Sequence, residues 1–346
     1  MTKTQILRQA SSLIRGSHTP LLICHISPDG DALGSLTGLA HALRWLGCSP
    51  IAACDDRVSA RFDFIPGAES VVQEVSSSFD LIVTLDCSDL RRVGSLSDLP
   101  HFTDRPVVNI DHHITNLAFG DVNIVDPEAS STAEVLLELL DFMRIPLDET
   151  LATSLLTGIV TDTRGFRTSN VTPRVLEAAL RLTRAGASLP YVSQHGLDRR
   201  PLVAIQLWGA ALSHLRLEDG IVWTTLPLDM RQRVGYQGGG DAGLASFLVS
   251  ADEAYVSVVF VEQEDGNVDV GLRALPGYDV AHIALQFGGG GHALAAGFNV
   301  PGPLEDAERR VLEALREDVG RQQAIHVRPE ASQVRYAERR FEGETP

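Results

Sequence analysis

The chain has 346 residues, 44% of them hydrophobic and 21% charged, with a formal net charge of −16. That length exceeds one typical domain and the composition is that of an ordinary globular protein with sizeable cores, so two domains are expected. The acidic balance argues against a protein that grips long nucleic acid, which calls for a basic surface, and leaves a small anionic partner held at a local cluster of cations. The N-terminal "MTKTQILRQASSLIRG" lacks the uninterrupted apolar core of a signal peptide and reads as an amphipathic first helix. The apolar "LLIC" (21–24) leads to "DALGSLTGLAHALRWLG" (31–47), where Leu33, Leu36, Leu39, Ala40, Leu43 and Leu46 recur at helical spacing and Gly47 marks a stop. "IAAC" (51–54), "LIVTL" (81–85) and "VVNI" (107–110) are further buried-strand candidates. "TAEVLLELLDFM" (132–143) reads as a helix capped by Ser130 or Ser131, and "ETLATSLLTGIVTD" (149–162) as another. Strands alternating with helices predict a doubly wound, mostly parallel sheet.

The second half reads differently. "GASLPYVSQHGLDRRP" (186–201) has the turn residues and mixed charge of a connector, and "GGG" (238–240) reads as a flexible turn. "IVWTTLPL" (221–228), "AYVSVVFVEQ" (254–263) and "NVDVGLRAL" (267–275) alternate as half-buried strands do, with a hairpin turn at "EDG" (264–266). The expected organisation is a first domain over 1–187, a linker over 188–205, a smaller α/β domain over 206–326 and a polar tail over 327–346. No apolar run reaches the ~18 residues of a membrane span. The cysteines Cys24, Cys48, Cys54 and Cys87 form no CxxC pair, which fits a reducing, cytoplasmic compartment.

Polar residues of the first half collect at the C-terminal ends of the expected strands, where open α/β sheets place their ligands. His25 ends "LLICH", Asp29 and Asp31 follow in "SPDGD", Asp86 ends "LIVTLD", Asp111, His112 and His113 end "VVNIDHH", and Asp162 ends "LLTGIVTD". A lone Asp after a strand is usually a cap or turn former, and a lone His is usually core. The set as a whole is harder to explain that way, because so many carboxylates meeting without cations would repel one another. Divalent ions remove the problem, and two of them about 3.5–4 Å apart can share one carboxylate and clamp a phosphoryl group. Mixed carboxylate and imidazole donors without thiolate suit Mn²⁺ better than a structural Zn²⁺, with Mg²⁺ or Co²⁺ as substitutes. Four glycines at 288–291 bring backbone N–H groups close to a phosphate, and His292 adds a donor.

The order His25-x-x-x-Asp29-x-Asp31, Asp86 in "LDCSD", "DHH" at 111–113 and Asp162 in "TDT" resembles the four motifs of the DHH family of phosphoesterases. "GGGGH" (288–292) resembles the nucleotide-binding motif of that family's associated C-terminal domain, so the likeness covers about residues 20 to 300. Length and motif set are most similar to the oligoribonuclease and pAp phosphatase branch. The resemblance implies two Mn²⁺ ions, one held by His25, Asp29 and Asp86, the other by Asp31, Asp86, His112 and Asp162, with Asp86 bridging. It implies that His113 faces the scissile phosphate as donor or general acid, that Asp111 orients the histidines, and that Arg273, Gly288, Gly289, Gly290, Gly291 and His292 hold a substrate phosphate. The active site would lie in the cleft between the domains, with a hydroxide bridging the ions as nucleophile. The implied reactions are trimming of very short oligonucleotides (nanoRNA) to mononucleotides and conversion of 3′-phosphoadenosine 5′-phosphate (pAp) to AMP. Long duplex DNA and membranes are not expected partners, and a homodimer is implied by the family alone.

Two departures stand out. Ala274 follows Arg273 where the family usually has Ser, and Arg164 and Arg167 lie just past Asp162, the first where the family often has a small residue. Competing readings are a cyclic di-AMP or pApA phosphodiesterase, a manganese pyrophosphatase, a long-strand exonuclease and a non-catalytic nucleotide sensor. "GGGGH" and the lack of a lysine-rich C-terminal motif disfavour the pyrophosphatase, and the full ligand set disfavours the sensor.

Overall fold

A computed structural model describes residues 1–238 and 240–326; the expected polar tail over 327–346, and Gly239 within the "GGG" run, lie outside the described residues. The chain divides between Arg199 and Arg200 into two compact units.

After helix α1 (Lys3–Gly16), the first unit builds one parallel sheet from β1 (Pro20–Cys24), β2 (Ile51–Ala53), β3 (Leu81–Leu85), β4 (Val107–Asp111) and β5 (Val122–Val125), in the order β2-β1-β3-β4-β5. Every residue of β1 and β3 is buried, as continuous apolar runs covered on both faces must be. Helices α2 (Gly30–Trp45), α3 (Thr132–Phe142) and α4 (Glu149–Asp162) share one core with Leu22, Val83 and Ile110 of the sheet. Leu21, Ile23 and Ile82 face a second core, closed by Val93, Leu96 and Phe102. The order of strands reverses about β1, so the β1 and β3 ends flank the switch point where doubly wound sheets bind ligands. β5, "VNIV", was not among the expected strands; only two of its four residues are buried, which weakens the apolar signal.

α2 and α4 pack backbone to backbone. A Cβ on Gly34 would stand 2.4 Å from the Ser154 carbonyl oxygen, so only glycine fits that crossing. After α5 (Pro173–Arg184), the stretch expected to be a connector folds instead: α6 (Leu189–Ser193) is capped by the Ser188 hydroxyl, and a wide turn over Gln194–Asp198 follows. Its cause is burial, since Val192 and Gly196 are covered, with Gly196 against Thr161 of α4. The expected linker over 188–205 therefore contains ordered helix on either side of the division at Arg199 and Arg200.

The second unit begins with α7 (Leu202–Leu212). Its mixed sheet comprises β6 (Arg216–Glu218), β7 (Ile221–Leu226), β8 (Val256–Glu262), β9 (Asn267–Ala274), β10 (Gly290–His292) and β11 (Ala295–Pro301), in the order β10-β11-β9-β8-β7-β6. Only β7 and β8 run parallel. β9 alternates exposed and buried residues, the pattern read from "NVDVGLRA". One face packs on α10 (Ala281–Gln286) and α11 (Leu304–His326), the other on α7, α8 (Leu228–Val234) and α9 (Leu244–Leu248).

Candidate metal centre

Seven of the eight polar residues expected at strand ends bring donor atoms together in three overlapping groups. These are His25, Asp29 and Asp86; Asp31, His112 and Asp162; and Asp86, His112 and His113, each group with its atoms within 4.8 Å of one another. With His113 counted, only Asp111 of the expected set stays outside these groups.

Local structure explains the placement. Asp29 is the N-cap of α2 and its Oδ1 accepts from the amides of Asp31 and Ala32 at 3.0 and 3.1 Å. Asp31, fully buried in the first turn, receives the first amides of α3: Thr132 N–H donates to Oδ2 at 2.6 Å and Ala133 N–H to Oδ1 at 2.9 Å. A helix N-terminus is a ready anion site, which lets a carboxylate be buried there. Gly158 makes room for it, since a Cβ there would lie 2.4 Å from Asp31 Oδ1 and 2.6 Å from the Ala133 Cβ. Asp86 follows β3 directly in the left-handed region, φ 61°, a conformation costing a non-glycine residue roughly 1 kcal/mol or more and found where function holds it. Its Oδ1 accepts a hydrogen bond from the Thr132 hydroxyl at 2.8 Å.

Each histidine is held by its Nδ1. That of His25 lies 2.7 Å from the Ile26 carbonyl oxygen, and that of His113 lies 2.7 Å from Asp111 Oδ1. An Nδ1–H donor leaves the Nε2 lone pair for an ion or a substrate. The Nε2 of His25 is 3.4 Å from Asp86 Oδ2 and 3.8 Å from Asp29 Oδ1; that of His112 is 3.3 Å from Asp162 Oδ2 and 3.7 Å from Asp86 Oδ1. These separations are long for hydrogen bonds. The two shorter ones match two donors about 2.1 Å from a shared cation at 90–110°, which stand roughly 3.0–3.4 Å apart, and the two longer ones are wider than that. Asp111 is fully buried, bonded to His113, to the His112 amide and to Asn116 Nδ2.

The electrostatics carry the same mark. Burial, then the charge of Asp86, pushes the carboxyls of Asp31 and Asp162 well above the ordinary range. Burial would lower the His25 imidazole, but bonds to Asp29 and Asp86 outweigh it and raise it to about 11. Burial likewise opposes, and the bond to Asp111 with the charge of Asp86 wins, lifting His113 to about 9. Burial raises Asp86, but His25 outweighs it and holds that carboxyl far below the usual range. Without metal the cluster thus neutralises itself with protons. Oxygen and imidazole donors arranged this way fit divalent cations.

Sequence reasoning missed Thr132, Gly158 and Asn116. "SSTAE" offered only a cap, and a glycine inside a helical run carries no sign of what it admits. Arg164, Gly165 and Phe166 follow Asp162 with three positive φ values, 49°, 73° and 63°, and the side chains of Arg164 and Arg167 are exposed.

In the second unit, strand register gathers the other expected residues. His292 of β10 pairs with Ala295 of β11, which pairs with Arg273 of β9, so His292 and Arg273 share one row of the sheet. Arg273 donates to the Ser246 hydroxyl at 3.0 Å and to the Leu272 carbonyl at 2.7 Å. A serine from α9 thus meets this arginine where Ala274 supplies no hydroxyl. The glycine run is partly edge strand: a Cβ on Gly289 would lie 2.3 Å from the Gly297 carbonyl oxygen, and Gly291 has φ 143°.

Residues 21–159 match the DHH family, N-terminal domain, and residues 232–321 match the DHHA1 domain. The chain is 34% identical over 323 residues to the bifunctional oligoribonuclease and PAP phosphatase NrnA of Thermus thermophilus, covering 91% of this chain and 95% of that one. It is 27% identical over 339 residues to the cyclic-di-AMP phosphodiesterase GdpP of Geobacillus thermodenitrificans, covering 88% of this chain and 48% of that one. The crystal structure of an exopolyphosphatase-related protein from Bacteroides fragilis superposes with a TM-score of 0.87 at 23% identity, covering 93% of this chain and all of that one, a likeness of fold. No helix among the described residues is long and apolar enough to cross a membrane. The chain belongs to the DHH family, carries its DHHA1 domain, and is a hydrolase of that family.

Proposed function

We propose that this protein is a cytoplasmic, Mn²⁺-dependent phosphoesterase that hydrolyses very short oligonucleotides to mononucleotides and dephosphorylates pAp to AMP. The observation that carries the reading is the convergence of donor groups on Asp86, whose two oxygens face His25 on one side and His112 on the other. On this reading one ion is held by His25, Asp29 and Asp86, and a second by Asp31, Asp86, His112 and Asp162. When bound, two such ions supply an activated water and neutralise phosphoryl oxygens.

The chain's own residues do the rest. Asp111 fixes the His113 ring through Nδ1, and with its pKa lifted to about 9 the ring is the imidazolium, whose Nε2–H presents a proton to the phosphate or the leaving oxygen. Thr132 and the first amides of α3 hold Asp86 and Asp31 in place before an ion arrives. Arg273, Gly288–Gly291 and His292 bind a terminal phosphate, the arginine through its planar fork and the loop through backbone N–H groups. The sequence likeness to an oligoribonuclease and PAP phosphatase over nearly the whole of both chains supports this substrate class.

The test is a competition. Pure protein with Mn²⁺ is given pAp, pApA, cyclic di-AMP and pyrophosphate together, with a chelator control. Chelator-sensitive loss of pApA and pAp with AMP accumulating is expected. Preferential loss of cyclic di-AMP or pyrophosphate would replace the substrate, and no loss of any would overturn the reading.

A further inference from the structure

Directly after Asp162, the last residue of α4, the chain turns through three left-handed residues, Arg164, Gly165 and Phe166, at φ 49°, 73° and 63°. Glycine takes that conformation freely, whereas an arginine and a phenylalanine each carry the steric cost of a Cβ. The turn is held from several directions at once. The amides of Arg164, Gly165 and Arg167 donate to the carbonyls of Thr161, Val160 and Thr163 at 3.1, 2.8 and 2.8 Å, and the Phe166 amide donates to the buried Thr163 hydroxyl at 3.0 Å. A Cβ on Gly165 would stand 3.1 Å from Leu197 Cδ1. The Arg167 Nε donates to the Arg164 carbonyl at 2.6 Å and braces the turn from outside. Strain that the surroundings fix so fully collects where a side chain is needed in one place.

For Phe166 that place is the core of the first unit, against which its ring packs. For Arg164 the fold supplies no such reason. Its side chain is exposed, and its guanidinium forms no ion pair or hydrogen bond among the described residues. Elsewhere in this acidic chain arginines find carboxylates: Arg174 bonds Glu134, Arg181 bonds Asp141 and Arg316 bonds Glu218. A charge kept only for solubility needs no strained residue, and glycine would make the same turn without the cost. Two residues span at most about 7 Å, so the Arg164 Cα lies within that distance of the Asp162 Cα. The donors around Asp162 are already His112 and Asp31. A long exposed side chain starting that close to them meets what lies at the rim of the centre rather than what sits in its middle.

We propose that Arg164 is a specificity-determining residue whose guanidinium holds the phosphate one nucleotide beyond the scissile one, so that a trinucleotide is preferred to a dinucleotide. The scissile group is taken by the ions and His113, which leaves the next phosphate to a cation at the rim, and a planar fork can take it bidentately. The inference rests on the proposed function for one thing, that the substrate is a short oligonucleotide.

The test compares pApA, with one internucleotide phosphate, and pApApA, with two. Affinities are read by calorimetry in chelator, where nothing turns over, for the wild type, R164G and R164K. The wild type is expected to bind pApApA about ten-fold more tightly than pApA. R164G should abolish that preference and leave the pApA affinity unchanged, and R164K, which keeps the charge without the fork, should retain part of it. The Tm of R164G should be unchanged or higher, because glycine relieves the turn. With Mn²⁺ present, R164G should lower kcat/KM about ten-fold for pApApA alone. No preference in the wild type, a preference kept in R164G, or an equal loss for both substrates would each overturn the proposal, and a lowered Tm in R164G would make Arg164 a structural residue instead. Because the affinities are read without metal, a failed hydrolysis assay would strike the proposed function and leave calorimetry to decide this inference.

Discussion

On the proposed function, the strand ends of the first sheet and the glycine-rich edge of the second are two answers to one problem, how to hold phosphate chemistry against a protein surface. The first concentrates charge. Four aspartates and three histidines meet there, several of them buried, and Asp31, Asp86 and His113 are each held by a bond from a residue outside the cluster. The second removes side chains, so that backbone and a single Arg273–His292 row do the contacting. A site made of mutually dependent charges should fail all at once, whereas a site made of backbone should lose affinity by degrees.

That contrast breaks most visibly at Asp86. The Asp86→Ala enzyme is expected to lose about 10³-fold or more in kcat in a Mn²⁺-dependent assay, because two of the three donor groups lose the member they share. Wild-type-like turnover would sink the two-ion reading. Thr132→Val keeps the shape but deletes the hydroxyl on Asp86, and should weaken metal binding by about 10–100-fold, measured by Mn²⁺ titration. Arg273→Ala sharpens the other side. Its KM should rise about ten-fold or more with kcat nearly unchanged, and an equal fall in kcat would instead place Arg273 in the chemical step.

Gly158→Ala forces a methyl onto Asp31 and Ala133, so it should cost about 1–3 kcal/mol of stability, read as a lowered Tm, and weaken the metal as well. The smallest effect is on pH. Protons held by Asp31 and Asp162, and by His25 up to about 11, must leave when an ion binds. Mn²⁺ affinity should therefore rise from pH 6 to pH 8, with proton release seen by calorimetry in buffers of different ionisation enthalpy. A pH-independent affinity would mean that the ion does not displace those protons.

Much of the first unit was legible because its strands are short, apolar and end in polar residues; His25, Asp86 and "DHH" announce the edge on which they lie. The ring of support was not. Thr132 looks like part of a cap, and Gly34 and Gly158 look like ordinary weak points of helices, since their meaning lies in what approaches from another helix. The 186–201 stretch was misread for a related reason. Its turn residues are real, but Val192 and Gly196 find cover against α4 that no local pattern records. In the second unit, β9 declared itself by alternation, while β10 was hidden inside a glycine run whose pairing depends on β11.

The crossing of α2 and α4 has a consequence for how this gene tolerates change. Gly34 and Gly158 carry no functional group, yet each faces an atom within 2.4 Å of where a Cβ would be. A comprehensive substitution scan scored for survival would therefore mark these two silent positions as harshly as the aspartates. A reader ranking residues by such a scan alone would count glycines among the catalytic machinery, when what they contribute is room, Gly158 for Asp31 and Gly34 for the Ser154 carbonyl.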